Sequence, residues 1–355
     1  MIKIVLNAYK VSFSGLSRGT WLLAAVILIN RCGYMAVPFM GLYVTQYLNR
    51  QPSDAGLIIM FFGLGSVVGA ATGGYFTDKI GYKPVQIIAL VTSGSLFLVF
   101  STITHFPSLC LLALIISFFS EAFRPANFAA TAVYANKGTE TRSYSLNRLA
   151  INIGWAVGSS VGGMIASFNY HLLFIVDGTI SIIAGICILL LLPMIKAKSE
   201  KNVSSTDKEN ETFNMPWQDP IFLRFVIITT VFAICFFLMF RVGPVFFKEN
   251  WQISEAIIGI YLALNGIIIA LLEMIIISWL EKKYNPLRNI MVGSCLLAFS
   301  FLLLSAHSSF VYVSALIAVV LFTAGEMFSL PFISSFVVSR THEHNRGQYA
   351  AVYTL

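Results

Sequence analysis

The chain has 355 residues, 57% of them apolar and 11% charged, with a formal net charge of +7. Soluble domains run near 45–50% apolar and about 25% charged. Together with a mean hydropathy of +0.80, this excludes an ordinary cytosolic enzyme, a nucleic-acid-binding domain and a disordered chain. The basic residues sit in short loops between long apolar runs, so an integral membrane protein is the class that remains.

In chain order, residues 1–19 read as a cytoplasmic N-terminal segment. It carries Lys3, Lys10 and Arg18 without a small-residue cleavage site, so it is no cleavable signal and leads along the membrane surface into the first span. A spanning helix needs about 20 mostly apolar residues. Such runs fall at 20–48, 55–77, 84–104, 107–131, 145–167, 171–195, 221–247, 254–280, 288–306 and 309–338. Each must be helical, because lipid offers the backbone no hydrogen-bond partner. Ser53-Asp54 and Ser254-Glu255 supply cap signals before the second and eighth runs. Between the sixth and seventh lies the only long polar stretch, 196–220, whose composition suits a mobile cytoplasmic linker. The expected organisation is therefore a first bundle at 20–195, the linker, and a second bundle at 221–355. The last residues resemble the opening of an eleventh helix, so a truncated second bundle is expected.

Positive charge sets the orientation. Apart from Arg50 and Lys248, and from Arg31, Arg124 and Arg241 deep within spans, every Lys and Arg falls at the N-terminus or in or beside alternate loops. This places the N-terminus in the cytoplasm and the protein in the plasma (inner) membrane as a multi-pass chain. The five cysteines all lie in apolar runs and read as small packers. The five histidines fall near loops, and none is given a metal role.

The two halves repeat at an offset of about 204 residues. Ser53-Asp54-Ala55 recurs as Ser254-Glu255-Ala256, Asp78-Lys79 as Glu281-Lys282, Glu121-Ala122-Phe123 as Glu326-Met327-Phe328, and Arg142 as Arg346. Pro38 and Pro244 hold similar places in the first and seventh runs, as do Pro125 and Pro331 beyond the two glutamates. Two parallel six-helix halves joined by a cytoplasmic linker form a transporter architecture, with substrate between the halves.

The loop after the second run reads Gly74-Tyr75-Phe76-Thr77-Asp78-Lys79-Ile80-Gly81-Tyr82-Lys83-Pro84. It resembles the major facilitator superfamily signature G-x-x-x-D-[RK]-x-G-x-[RK]-[RK], with Pro84 in place of the final basic residue. The resemblance implies an all-α integral membrane fold of two pseudo-symmetric six-helix bundles, of which this chain covers ten helices and the start of the eleventh. It also implies a conformational gate formed by Gly74, Asp78, Lys79, Gly81 and Lys83, with Asp78 receiving the positive N-terminus of the eleventh helix in the outward-facing state. Gly154, Gly158, Gly162 and Gly163 in the fifth run resemble the G-x-x-x-G-P-x-x-G-G element of antiporters, with Ser159 where the proline usually stands. Close helix packing alone would also account for them. Arg124-Pro125-Ala126 followed by Arg142-Ser143-Tyr144-Ser145 resembles bacterial multidrug-efflux-like members of the drug:proton antiporter branch. The first run holds Ile27-Leu28-Ile29-Asn30-Arg31 where peptide symporters carry E-x-x-E-R, which counts against peptide uptake.

Ionisable groups inside spans point to function, because they cost several kcal/mol unless paired or facing water. Glu121, Glu326 and Glu273 are the candidates for proton coupling. Glu121 and Arg124 share a helix face, so an intrahelical ion pair is the competing reading. Arg31, Tyr34, Arg124 and Arg241 are candidates for the substrate cavity. Asp177 is expected to be a solvated carboxylate near the outer end of its helix.

The function expected is secondary active transport of a small amphiphilic or drug-like molecule by alternating access, as proton-coupled efflux by antiport. Uptake of a nutrient or organic anion and a transport-incompetent sensor are the alternatives. No nucleotide-binding loop is present to supply ATP drive, and no nucleophile–base grouping in the spans suggests an enzyme. The partners expected are a small-molecule substrate, protons and the lipid bilayer. Neither nucleic acid, nor a cofactor, nor a metal is expected, and the chain should be a monomer.

Overall fold

A computed structural model describes residues 15–136, 139–193, 216–281, 283–306 and 310–340. Among the described residues there are ten helical segments long and apolar enough to cross a membrane, and no strand. The first span runs Arg18–Tyr47, and the next five helices are Pro52–Ile80, Tyr82–Phe100, Phe106–Tyr134, Glu140–Phe168 and Tyr170–Leu191. After a short turn at Pro216–Gln218 come Pro220–Arg241, Gly243–Glu249, Glu255–Glu281, Pro286–Ser305 and Val311–Ser339. All ten apolar runs are thus helical, with ends that differ by a few residues. The second begins one residue earlier than its expected cap: Pro52 opens it after Gln51, and Asp54 lies in the first turn, since proline is preorganised for that position. The expected eleventh-helix start and most of the linker and of the N-terminal segment lie outside the described residues.

Two spans are broken at corresponding prolines. Pro38 has no N–H and its ring clashes with the carbonyl four residues back. The first span accordingly interrupts between Gly33 and Ala36, where Met35 N bonds Gly33 O at 2.7 Å around Tyr34 at φ −73°, ψ 63°, an inverse γ-turn. The seventh span interrupts at Val242, just before Gly243-Pro244.

The chain divides into two compact units. The first comprises residues 1–196 and 240–270, the second 197–239 and 271–355. In the first unit, glycines let helices approach to backbone contact. Gly65, Gly69 and Gly73 of the second span face the fourth: a methyl at Gly69 would fall onto the Phe118 carbonyl, and one at Gly73 would lie 2.5 Å from Ala122 Cα. In the second unit, Gly293 and Gly325 abut in the same way, a methyl on either reaching the other's carbonyl at 2.7 Å. Phe225 stacks near Phe336 at 4.2 Å and Phe236 on Phe322 at 5.2 Å.

Each unit fastens the start of its first helix to the end of its fourth. In the first unit Asn136 Nδ2 donates to Gly15 O at 3.0 Å, and Ser17 Oγ and Thr20 Oγ1 both donate to Tyr134 O. In the second, Arg340 donates to Asp219 Oδ2 through Nε at 3.1 Å and Nη2 at 2.7 Å. Gly15 with Asp219 and Asn136 with Arg340 are separated by the repeat offset of about 204, so one fastening recurs with a charged pair in place of an amide. Asp219 Oδ1 also accepts from Ile221 N and Phe222 N, capping the helix. Burial alone would raise this carboxyl, but Arg340 and the two N–H donors outweigh it and hold it below the ordinary carboxylate range.

Two outcomes follow. Gly69→Ala should destabilise the protein by about 1–3 kcal/mol through overpacking. Gly63→Ala, where a methyl would meet nothing within 4 Å, should leave thermal unfolding in detergent unchanged. Because the folded Asp219 value is depressed, its contribution is full above the ordinary value near pH 4 and is lost as pH falls through the lowered one. Asp219→Ala should therefore cost about 0.5–2 kcal/mol of capping at neutral pH and flatten the acid limb of a melting-temperature profile.

Candidate functional site

Inside the first unit the first, third, fourth and sixth spans enclose a cavity of about 20 Å³, room for about one water. Its wall includes Asn30, Arg31 and Tyr34 of the first span, Ser93 of the third, Ser120 and Glu121 of the fourth, and Asp177 and Ser181 of the sixth. Leu90, Phe97 and Phe123 complete the wall, so polar side chains from four helices gather there beside apolar ones.

Arg31 occupies the last turn before the break. Its guanidinium carbon lies 5.0 Å from the centre of the Tyr34 ring, close enough for a cation–π contact, and its Nε is buried without a hydrogen-bond partner. Glu121 meets Arg124 at 3.7 Å, one turn along its own helix, with side chains 16% and 71% exposed. That geometry is the intrahelical ion pair, yet Glu121 also stands on the cavity wall, whereas Arg124 does not. Arg241 ends the seventh helix with its guanidinium carbon 4.9 Å from the Phe62 ring centre and interacts electrostatically with Tyr34. The site predicted from sequence is therefore only partly one place: Arg31, Tyr34 and Glu121 share a cavity, and Arg124 and Arg241 lie off its wall. Glu273 is buried and Glu326 half-buried in the second unit.

Asp177 departs from expectation. It is 1% exposed, not solvated, and it sits on the same cavity wall. Its Oδ2 accepts from Ala36 N at 3.1 Å, and Met35 N–H, Arg31 and Ser181 add electrostatic attraction. The break in the first span accounts for the difference. It frees N–H groups that lipid cannot satisfy, and the sixth span brings a carboxylate to them. Within the sequence, the only hint was Asp177 beside Gly178 and one turn before Ser181 in an otherwise apolar run.

A second cluster, also missed from sequence, lies at the connection between the seventh and eighth spans. Glu255 accepts from Tyr170 Oη at 2.8 Å and pairs with Lys248 at 3.0 Å, while Gln46 Nε2 donates to Glu249 at 2.6 Å. The fifth-span glycines serve the same region. A methyl on Gly158 would lie 2.8 Å from Arg31 O, one on Gly162 2.7 Å from Met35 Cβ, and one on Gly163 2.7 Å from Gly259 Cα; Gly154 likewise meets Arg31.

The loop after the second span is built as a tight corner. Gly81 has φ +92°, a conformation costly for any residue with a Cβ, and it ends one helix and begins the next. Gly74 makes only ordinary contact with Pro125, Asp78 is exposed, and Lys79 reaches the Tyr75 ring at 5.8 Å. Lys83 Nζ donates to Leu189 O at 3.1 Å and Leu192 O at 2.6 Å, closing off the negative end of the sixth helix. The eleventh-helix segment expected opposite Asp78 lies outside the described residues. Among the described residues no group of three or more His, Cys, Asp or Glu is arranged to hold a metal ion.

The sequence profile described as Major Facilitator Superfamily matches residues 22–355. The chain is 25% identical over 364 residues to a "Na(+), Li(+), K(+)/H(+) antiporter" of Planococcus maritimus, covering 92% of this chain and 83% of that one. It is 22% identical over 256 residues to the quinolone resistance protein NorA of Staphylococcus aureus (strain MSSA476), covering 72% and 65%. In fold it resembles the nucleoside transporter NupG, with a TM-score of 0.76 at 17% identity over 95% of this chain and 86% of that one. It also resembles a D-xylose-proton symporter, with a TM-score of 0.66 at 12% identity over 94% and 85%. The chain belongs to the major facilitator superfamily: it is a multi-pass membrane transporter and not an enzyme.

Proposed function

We propose that this transporter exports a small amphiphilic or drug-like molecule in exchange for protons, by alternating access, across the cytoplasmic membrane with its N-terminus inside. The observation that carries this reading is Glu121, a carboxylate that shares with Arg31 the wall of a water-sized cavity within the apolar spans. A carboxylate there is costly when charged and stabilised by a nearby cation, so exposure to one side of the membrane and then the other changes its proton affinity. Glu326 is its repeat mate, and with Glu273 completes the proton-coupling set in this reading. Arg31, Tyr34, Arg124 and Arg241 supply cationic and aromatic surface to an amphiphile or its anionic group. Gly74, Asp78, Lys79, Gly81 and Lys83 form the conformational gate in this reading, and Gly154, Gly158, Gly162 and Gly163 a separate helix-packing seam. The partner in this reading is a proton and a small molecule, and the unit of function is the monomer.

A second reading, exchange of alkali cations for protons, is favoured by the Planococcus maritimus relative, whose name specifies that activity. One assay separates the two. In proteoliposomes under an imposed pH gradient, movement of ethidium supports drug export and movement of sodium supports cation exchange. Glu121→Gln should lower the gradient-driven flux of whichever probe moves by roughly 5- to 150-fold, the range of coupling energies between linked sites. Glu326→Gln should do the same. Unchanged flux in both variants would remove proton coupling through these positions.

A further inference from the structure

We propose that Asp177 is a proton-binding switch, separate from Glu121, whose protonation releases the outer half of the first span. This rests on the proton-coupled reading above but assigns it a different residue and a physical output.

The Asp177 carboxylate accepts the Ala36 N–H at 3.1 Å, from the break in the first span, and Met35 N–H of the same break and Ser181 of its own helix add electrostatic attraction. A charged acceptor binds such donors roughly twice as strongly as a neutral one. Adding a proton to the carboxylate therefore weakens the attachment of the segment that starts at Ala36. Pro38 prevents that segment from re-forming a continuous helix with Arg18–Gly33, so a weakened attachment becomes motion at the γ-turn rather than repair.

That segment carries the closure at the far end of the span. Gly41 lies so close to Val245 that a methyl on it would come within 2.8 Å of Cγ2. Gln46 bonds Glu249 at 2.6 Å. Tyr43 and Tyr47 pack on His171 at 5.8 and 4.5 Å, and Tyr43 on Tyr170 at 6.4 Å. Tyr170 in turn bonds Glu255. A shift of Ala36–Tyr47 therefore pulls on every one of these contacts.

The groups facing Asp177 fit a proton as the ligand. From the first span come Arg31 and Tyr34, and from the fourth Glu121 with Arg124 at 3.7 Å. From the seventh comes Arg241, which acts on Tyr34. The third and sixth spans add Ser93 and Ser181, which carry no charge. Arg31 acts electrostatically on Asp177 and stands with Glu121 on the same wall. The water-sized cavity on which Asp177 stands has room for one water to hand it a proton.

The test uses the full chain, purified in detergent, with Asp177→Asn and the charge-restoring Asp177→Glu. Two readouts are followed against pH: the infrared carboxyl C=O band, and hydrogen exchange in residues 34–47 corrected for intrinsic rates. In the unmodified protein, lowering pH should raise a carboxyl band and speed exchange in that segment by about tenfold. Asp177→Asn should lack that band and exchange fast at every pH, and Asp177→Glu should restore both responses. Exchange indifferent to pH in the unmodified chain, or a full pH response surviving in Asp177→Asn, would overturn the switch; the first of these needs no variant to fold. Flux separates this from the function above. If Asp177→Asn keeps gradient-driven flux that Glu121→Gln loses, coupling stands and the Asp177 switch falls. If no probe responds to the gradient while the band and exchange still track pH, the switch stands and the proposed function falls.

Discussion

Lipid gives a freed backbone N–H nothing to bond, so wherever a spanning helix breaks, another part of the chain must bring an acceptor to the gap. In this protein that acceptor is Asp177, and the gap is the turn between Gly33 and Ala36. Proline makes the break obligatory and the buried carboxylate makes it tolerable. Around the pair, Arg31, Glu121 and a few hydroxyls keep polar groups together in one small cavity rather than scattered against hydrocarbon. A membrane interior that penalises isolated charge thereby concentrates charge at a hinge.

Close approach of helices is the second constraint. Burial of apolar side chains drives little association between helices already bathed in lipid, so packing and small residues must supply it. Gly65, Gly69 and Gly73 give the fourth span a groove to lie in, while Gly154, Gly158 and Gly162 do so for the turn-bearing part of the first. The fifth-span series ends at Gly163 against Gly259, beside the Glu255 cluster. Glycines of one series therefore touch both the break and the Glu255 cluster.

The repeat is carried by geometry more than by chemistry. Gly15 and Asn136 in one half do what Asp219 and Arg340 do in the other, joining the start of a first helix to the end of a fourth. Pro38 and Pro244 break corresponding spans. By contrast, charge is matched only in part: Glu326 is the mate of Glu121, but Glu273 falls opposite Gly69. Shared scaffolding with unlike charges is what a transporter built by duplication needs if one half is to specialise.

Sequence alone determined the membrane class, the ten helical runs, the tight corner at Gly81 and the superfamily, because each of these depends on apolar length, local backbone preference or a contiguous motif. It also marked Arg31, Tyr34 and Glu121 as worth attention, since a charge in an apolar run is visible without a fold. Only the tertiary structure decided which of those charges share a space. Asp177 read as solvated because its distance from the helix end was legible and its neighbour was not: the Ala36 N–H that it holds lies 141 positions away in sequence. Glu255 was hidden for the same reason, reading as a helix cap until Tyr170 and Lys248 closed on it. Contacts between distant spans are set by packing, and one chain read by itself holds no direct record of them.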